Sequence, residues 1–184
     1  LAACSFGGDK AIFGYGRPGS GNSSLTNLVS NSGVVAADVT GVGTDRRQLA
    51  ASSYGGDKGI FGFGAAGSAE NVTNKVSNSG VVASDTSGVG TARYYLAGAG
   101  YGGDKGIFGY GSTGSVTGIT NLINNAGAVA SDVSGVGTAR LQLAASSYGG
   151  DKAIFAYGFT DQSLSMKNLV NSSGVVASDV TGVG

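Results

Sequence analysis

A Gly-Gly-Asp-Lys phrase stands at residues 7–10, 55–58, 102–105 and 149–152, followed each time by Gly or Ala and then by Ile-Phe. The surroundings repeat in step, with Asp38, Asp85, Asp132 and Asp179 spaced by 47 residues throughout. A unit of this size cannot bury its own apolar faces, so a chain written this way must set neighbouring units against one another. A period of about 47 residues with four short β-like segments in each period predicts an all-β fold. The expected architecture is a β-propeller of four-stranded antiparallel blades, one per unit, over residues 1–48, 49–95, 96–142 and 143–184.

With 36 glycines in 184 residues and only 12% charged residues, the chain could pass for a low-complexity linker. The periodic apolar segments and a hydrophobic content of 41% exclude that reading, because disordered chains lack the apolar surface that offsets ordering entropy. Eleven basic and eleven acidic residues give zero formal charge. Most occupy repeat positions and are interspersed, so the basic stripe of a nucleic-acid-binding protein is missing and no nucleic-acid partner is expected. No apolar run approaches the ~20 residues that cross a bilayer, so no membrane span is expected, nor a charged-then-apolar leader. The lone Cys4 matches Ser52, Ala99 and Ser146 in the other units and reads as a packed thiol.

The third unit shows the pattern most cleanly. Tyr94–Tyr101 reads as a first strand, Gly102-Gly103-Asp104 as a tight turn, and Lys105–Tyr110 as a second strand with apolar groups on both faces. A variable stretch, 112–119, precedes a third strand over Thr120–Asn124. A glycine-containing turn then leads to a fourth strand over Ala128–Val133.

Each unit resembles a kelch repeat. The features that carry the resemblance are Arg46, Arg93 and Arg140 opening the first strand and an aliphatic-aromatic strand ending in glycines, as in Ile60-Phe61-Gly62-Phe63-Gly64, followed by a variable loop and two further strands. The chain departs from that pattern in having Gly-Tyr-Gly for the usual Gly-Gly doublet, and it has no tryptophan. The resemblance implies a propeller whose two variable loop sets meet on one binding face. In composition, the uniform Gly/Ser/Ala/Asn-rich repeats also resemble bacteriophage fibre and appendage modules. Three closures fit the count of units: a four-bladed ring sealed by its termini, part of a larger ring, or half of an eight-bladed ring completed by a second copy. The larger ring is favoured, since neither terminus carries a capping or overlapping strand.

Chemistry is sparsely provided for. Histidine is absent, which removes the usual general base and the commonest metal ligand, so no enzyme, cofactor or metal site is expected. The turn aspartates Asp9, Asp57, Asp104 and Asp151 could in principle ring a calcium ion, but each is followed by lysine and reads as a turn residue. Asp38, Asp85, Asp132 and Asp179, with Arg46, Arg93 and Arg140 following eight residues after the first three, read as structural Asp-Arg pairs between neighbouring blades. The Gly-x-Gly strings lack the following helix of a dinucleotide site.

Function is expected where the repeats disagree, because loops free of folding constraints are free to recognise. The candidate binding residues are Arg17, Asn22, Arg47, Glu70, Asn71, Tyr94, Tyr95, Thr113, Phe159, Asp161 and Gln162. The expected role is a non-enzymatic structural or adhesive module, extracellular or virion-associated. Its partners would be glycans, cell-surface or virion proteins, and further copies or the remainder of a larger ring. The alternative is an intracellular kelch-like scaffold for protein partners.

Overall fold

The computed structural model describes residues 1–182, so the last two residues of the unit 143–184 lie outside the described part. Every regular element is a strand. Unit one holds β1 (Ala2–Phe6), β2 (Lys10–Gly16) and β3 (Ser23–Val29), and unit two holds β4 (Ala50–Tyr54), β5 (Lys58–Gly62) and β6 (Thr73–Val76). Unit three holds β7 (Ala97–Tyr101), β8 (Lys105–Gly109) and β9 (Thr120–Ile123), and unit four holds β10 (Ala144–Tyr148), β11 (Lys152–Ala156) and β12 (Lys167–Val170). The result is four antiparallel three-stranded sheets. No helix among the described residues is long and apolar enough to cross a membrane.

The four-stranded blade is therefore corrected to three strands and an outer segment. Residues 128–133 do run antiparallel to β9, but they pair only at Ile123 with Val129 and at Thr120 with Val133. Five residues on one side, 129–133, oppose four on the other, 120–123, so one residue bulges out of register. A side-chain network causes the bulge. Buried Asn121 donates from Nδ2 both to the Ala130 carbonyl (3.0 Å) and to Asp132 Oδ1 (2.9 Å), which draws the aspartate inward and interrupts the ladder. Asn74 with Asp85 and Asn168 with Asp179 repeat the arrangement.

The expected pairing of Asp38 with Arg46 is also corrected. The carboxylate nearest Arg46 belongs to Asp85, 3.7 Å away in the next unit. Asp85, Asp132 and Asp179 also accept from Thr44, Thr91 and Thr138, each through both the amide and the hydroxyl. Each clamp ties the end of one unit to the outer segment of the next. Burial alone would push the Asp132 carboxyl up, but the bonds from Thr91 and Asn121 and the Arg93 charge together hold it below 3.8. A carboxyl depressed in the folded state adds stability that is complete above its unfolded value and is lost as pH falls through the folded one. Asp132→Asn is accordingly expected to lower stability at neutral pH and to flatten its decline below about pH 4, read from urea midpoints across pH. Parallel acid limbs in the two proteins would refute the clamp.

The core belongs to the seams between units. One cluster joins Phe6, Ile12 and Tyr15 to Leu49, Ala51, Phe61 and Val76; a second joins units two and three; a third joins units three and four. Consecutive inner strands β1, β4, β7 and β10 pack in order, with no packing of comparable extent between β1 and β10. All four nevertheless line one groove of about 240 Å³, so the sheets fan around a common axis as an open arc. Cys4 lies on this groove, where burial pushes its thiol up to about 12, against a smaller opposing effect of a backbone hydrogen bond at Ile60. A thiol so raised is inert at neutral pH.

Each seam is built around an arginine. Arg46, Arg93 and Arg140 are fully buried, and their guanidinium carbons lie 4.4, 4.3 and 4.2 Å from the ring centroids of Tyr15, Phe63 and Tyr110, each earlier in the arginine's own unit. Their Nε groups donate to the carbonyls of Phe63, Tyr110 and Tyr157 at 2.8, 2.9 and 2.8 Å. Phe63 thus takes one arginine on its carbonyl and the next on its ring, and so does Tyr110. An alternating ladder of aromatic and guanidinium groups runs from Tyr15 to Tyr157. These four aromatics have φ of 61–63°, a region costly for bulky side chains. The turned carbonyl is what meets the arginine, so packing of the ladder supports the strain. Burial pulls the Arg93 guanidinium down to about 10, against the opposing Asp132 charge, which leaves it charged at neutral pH.

Candidate functional site

The two variable loop sets do meet. The entry to each first strand bridges to the loop after each second strand, as Arg47 with Ala65, Tyr94 with Ser112, and Leu141 with Phe159. The loops fold back on themselves through Ala65 with Ala69, Ser112 with Val116 and Phe159 with Ser163. Both sets therefore project from one edge of the arc.

This edge opens into a cleft of about 470 Å³ lined by Arg47, Gln48, Ala65, Gly67, Ser68, Ala69, Tyr94, Tyr95, Thr113 and Gly114. Four of the sequence candidates, Arg47, Tyr94, Tyr95 and Thr113, come together here. Asn22 braces the wall from unit one. Its Oδ1 accepts from Arg47 Nη1 at 2.8 Å and its Nδ2 donates to the Ala65 carbonyl at 3.3 Å. The Tyr94 and Tyr95 rings are tilted at 57° with centroids 5.2 Å apart. Gln48 Nε2 donates to the Tyr95 hydroxyl at 2.6 Å. The walls thus offer a guanidinium, two phenols, an amide and a hydroxyl, all partly or wholly accessible.

The remaining candidates lie elsewhere or serve the scaffold. Asn71 donates to the Gly90 carbonyl at 2.8 Å, and Glu70 is engaged through its backbone by Gly64 and Arg93. Arg17 is exposed on the loop of unit one. Phe159, Asp161 and Gln162 are exposed on the loop of unit four, outside the cleft, and Asp161 accepts from its neighbour Thr160.

Gln48, which varies between units together with Arg47 but is not among the candidate binding residues, completes the cleft. Gln48, Tyr95 and Gln142 occupy equivalent positions with φ of 57, 57 and 55°. The Tyr95 amide donates to the Gln48 carbonyl and the Gln142 amide to the Tyr95 carbonyl, both at 2.9 Å, forming a row across two seams. The backbone there must be left-handed, and glycine would adopt it without strain. A side chain is retained at all three positions, yet none contributes to the buried core. The only sequence signal was the alternation of Gln, Tyr and Gln at a spacing of 47.

The turn aspartates do not converge. Asp57, Asp104 and Asp151 pair with the lysines that follow them at 2.7, 2.8 and 3.0 Å, and Asp9 with Lys10 at 3.7 Å. Among the described residues no three His, Cys, Asp or Glu side chains gather at one point. No protein-family model matches the chain, and no curated protein matches it.

Proposed function

We propose that the chain is an arc of kelch-like propeller blades, each reduced to three strands and an outer segment. In this reading it is a non-enzymatic structural or adhesive module of a virion or extracellular assembly, and the Arg47–Tyr95 cleft contacts glycans. The observation that carries the reading is the row Gln48, Tyr95 and Gln142, where side chains stand on left-handed backbone at the loop edge without serving the core. Residues held in strained conformations gather at binding sites because the scaffold supports them for what they present. Aromatic rings offer stacking surfaces, and the neighbouring amide, guanidinium and hydroxyls fix polar groups around them.

Tyr95→Gly separates this role from a structural one. Relief of the backbone strain offsets the loss of the Tyr94 and Gln48 contacts, so stability is expected to stay within about 1 kcal/mol of the parent. Binding in a glycan-array screen is expected to be lost. If the parent binds no surface polysaccharide and instead captures a defined peptide, the glycan reading fails and a protein-binding scaffold replaces it.

A further inference from the structure

The three seams follow a steric rule that the two open faces do not satisfy with each other. At each seam a phenylalanine of the later unit lies against a glycine of the earlier one: Phe61 on Gly14, Phe108 on Gly62, and Phe155 on Gly109. A methyl group on those glycines would stand 2.9, 2.7 and 2.8 Å from the facing ring, closer than carbon atoms approach. In unit four the equivalent residue is Ala156, which carries that methyl group. A second pair of positions behaves likewise. Cys4 faces Gly59, where a methyl would meet Sγ at 2.5 Å, and Ser52 faces Gly106, where a methyl would meet the serine hydroxyl. Where the earlier unit has Ala99, the later one has Ala153, and both are buried in one cluster. Glycine goes with a γ atom and alanine with alanine. Ser146 on the open face of unit four therefore takes a glycine, whereas unit one offers Ala11.

The open faces otherwise carry the marks of unfilled seams. Phe13 is 38% exposed where its three equivalents are fully buried, and Tyr148 and Tyr157 are 39% and 54% exposed where theirs are buried. The Gly149 and Gly158 amides occupy the positions from which Gly7, Gly55 and Gly102 donate to the turn aspartate of the next unit, and Gly16, Gly64 and Gly111 to the carbonyl of the seam arginine.

From these pairs we infer that the face of unit four is a docking surface for a repeat unit of a sequence different from unit one. That unit carries glycine opposite Ser146, a side chain smaller than phenylalanine opposite Ala156, and an arginine over Tyr157. A second copy of this chain presents Ala11 and Phe13 there and meets two steric conflicts at one junction. The occupant continues the existing seams and is selected by volume.

The test appends a copy of residues 44–90 after Gly184, either with its native phenylalanine or with Phe61→Leu in the appended copy, and combines each with Ala156→Gly in unit four. Amide hydrogen exchange at Gly149 and Gly158 reports docking. The leucine extension is expected to slow exchange by about tenfold or more on the native face, and the phenylalanine extension only with Ala156→Gly. Equal protection by both extensions on the native face, or protection by neither, overturns the inference. So does a dimer of the unextended chain in sedimentation velocity that Phe13→Ser abolishes, because a second copy would then be the occupant.

Discussion

Arg93→Ala is expected to cost about 3–5 kcal/mol, the largest single loss available in this molecule outside the aromatic core. The change removes a fully buried side chain whose guanidinium covers the Phe63 ring at 4.3 Å. It also strips the Tyr110 and Thr91 carbonyls of donors at 2.9 and 3.2 Å. A buried carbonyl left without a donor costs roughly 1–3 kcal/mol, and loss of a desolvated cation over a ring about 1–2 more. Tyr110 suffers further, because its left-handed backbone is held by the bond its carbonyl accepts. Arg93→Lys keeps the charge and recovers little, since an ammonium cannot lie flat on the ring and reach both carbonyls. Urea midpoints with unchanged slope are the measurement, and a loss under about 1 kcal/mol would show that the ladder is incidental.

Phe108→Ala and Phe13→Ala form the second contrast. Both phenylalanines occupy the same place in the repeat, yet Phe108 is fully buried and Phe13 is 38% exposed. Phe108 lies edge-on to Phe63, with centroids 5.5 Å apart and planes at 75°, and covers Gly62. Removing it is expected to cost about 3–5 kcal/mol, and removing Phe13 about 1 kcal/mol or less. Units in a repeat array are coupled only through their neighbours, so the damage at Phe108 falls on the middle seam. Thermal unfolding of that variant is expected to broaden or split into two steps as units one and two separate from units three and four. A single sharp transition with equal losses for both substitutions would mean that the seams are not the unit of stability.

The contrast shows what could be read in the residues beforehand. The Gly-Gly-Asp-Lys turns and the Ile-Phe strands are local signals, and they fixed the first two strands of each unit to within a few residues. The outer segment was legible as an apolar, strand-like run, but not its failure to complete a ladder. That failure depends on Asn121 reaching two acceptors 9 and 11 residues away, a contact that strand propensity does not encode. The partner of Arg46 was missed for a related reason. Asp38 is near in sequence, whereas the fold brings Asp85 to the guanidinium and seats its face on Tyr15. The cleft was partly visible because Arg47, Tyr94, Tyr95 and Thr113 lie where the units differ. Gln48 was visible as a variable neighbour of Arg47, but its left-handed backbone was not, because nothing in a glutamine announces one.

Four units share three cores, each made jointly by two neighbours. An open array of n such units has one fewer core than units, while a closed one has as many cores as units. Each unit added to an open array therefore raises the average stabilisation per residue, and closure adds a last core without adding a residue. Length in this fold acts as a means of diluting end effects, and the terminal units, each with one face uncovered, set the lower bound on local stability.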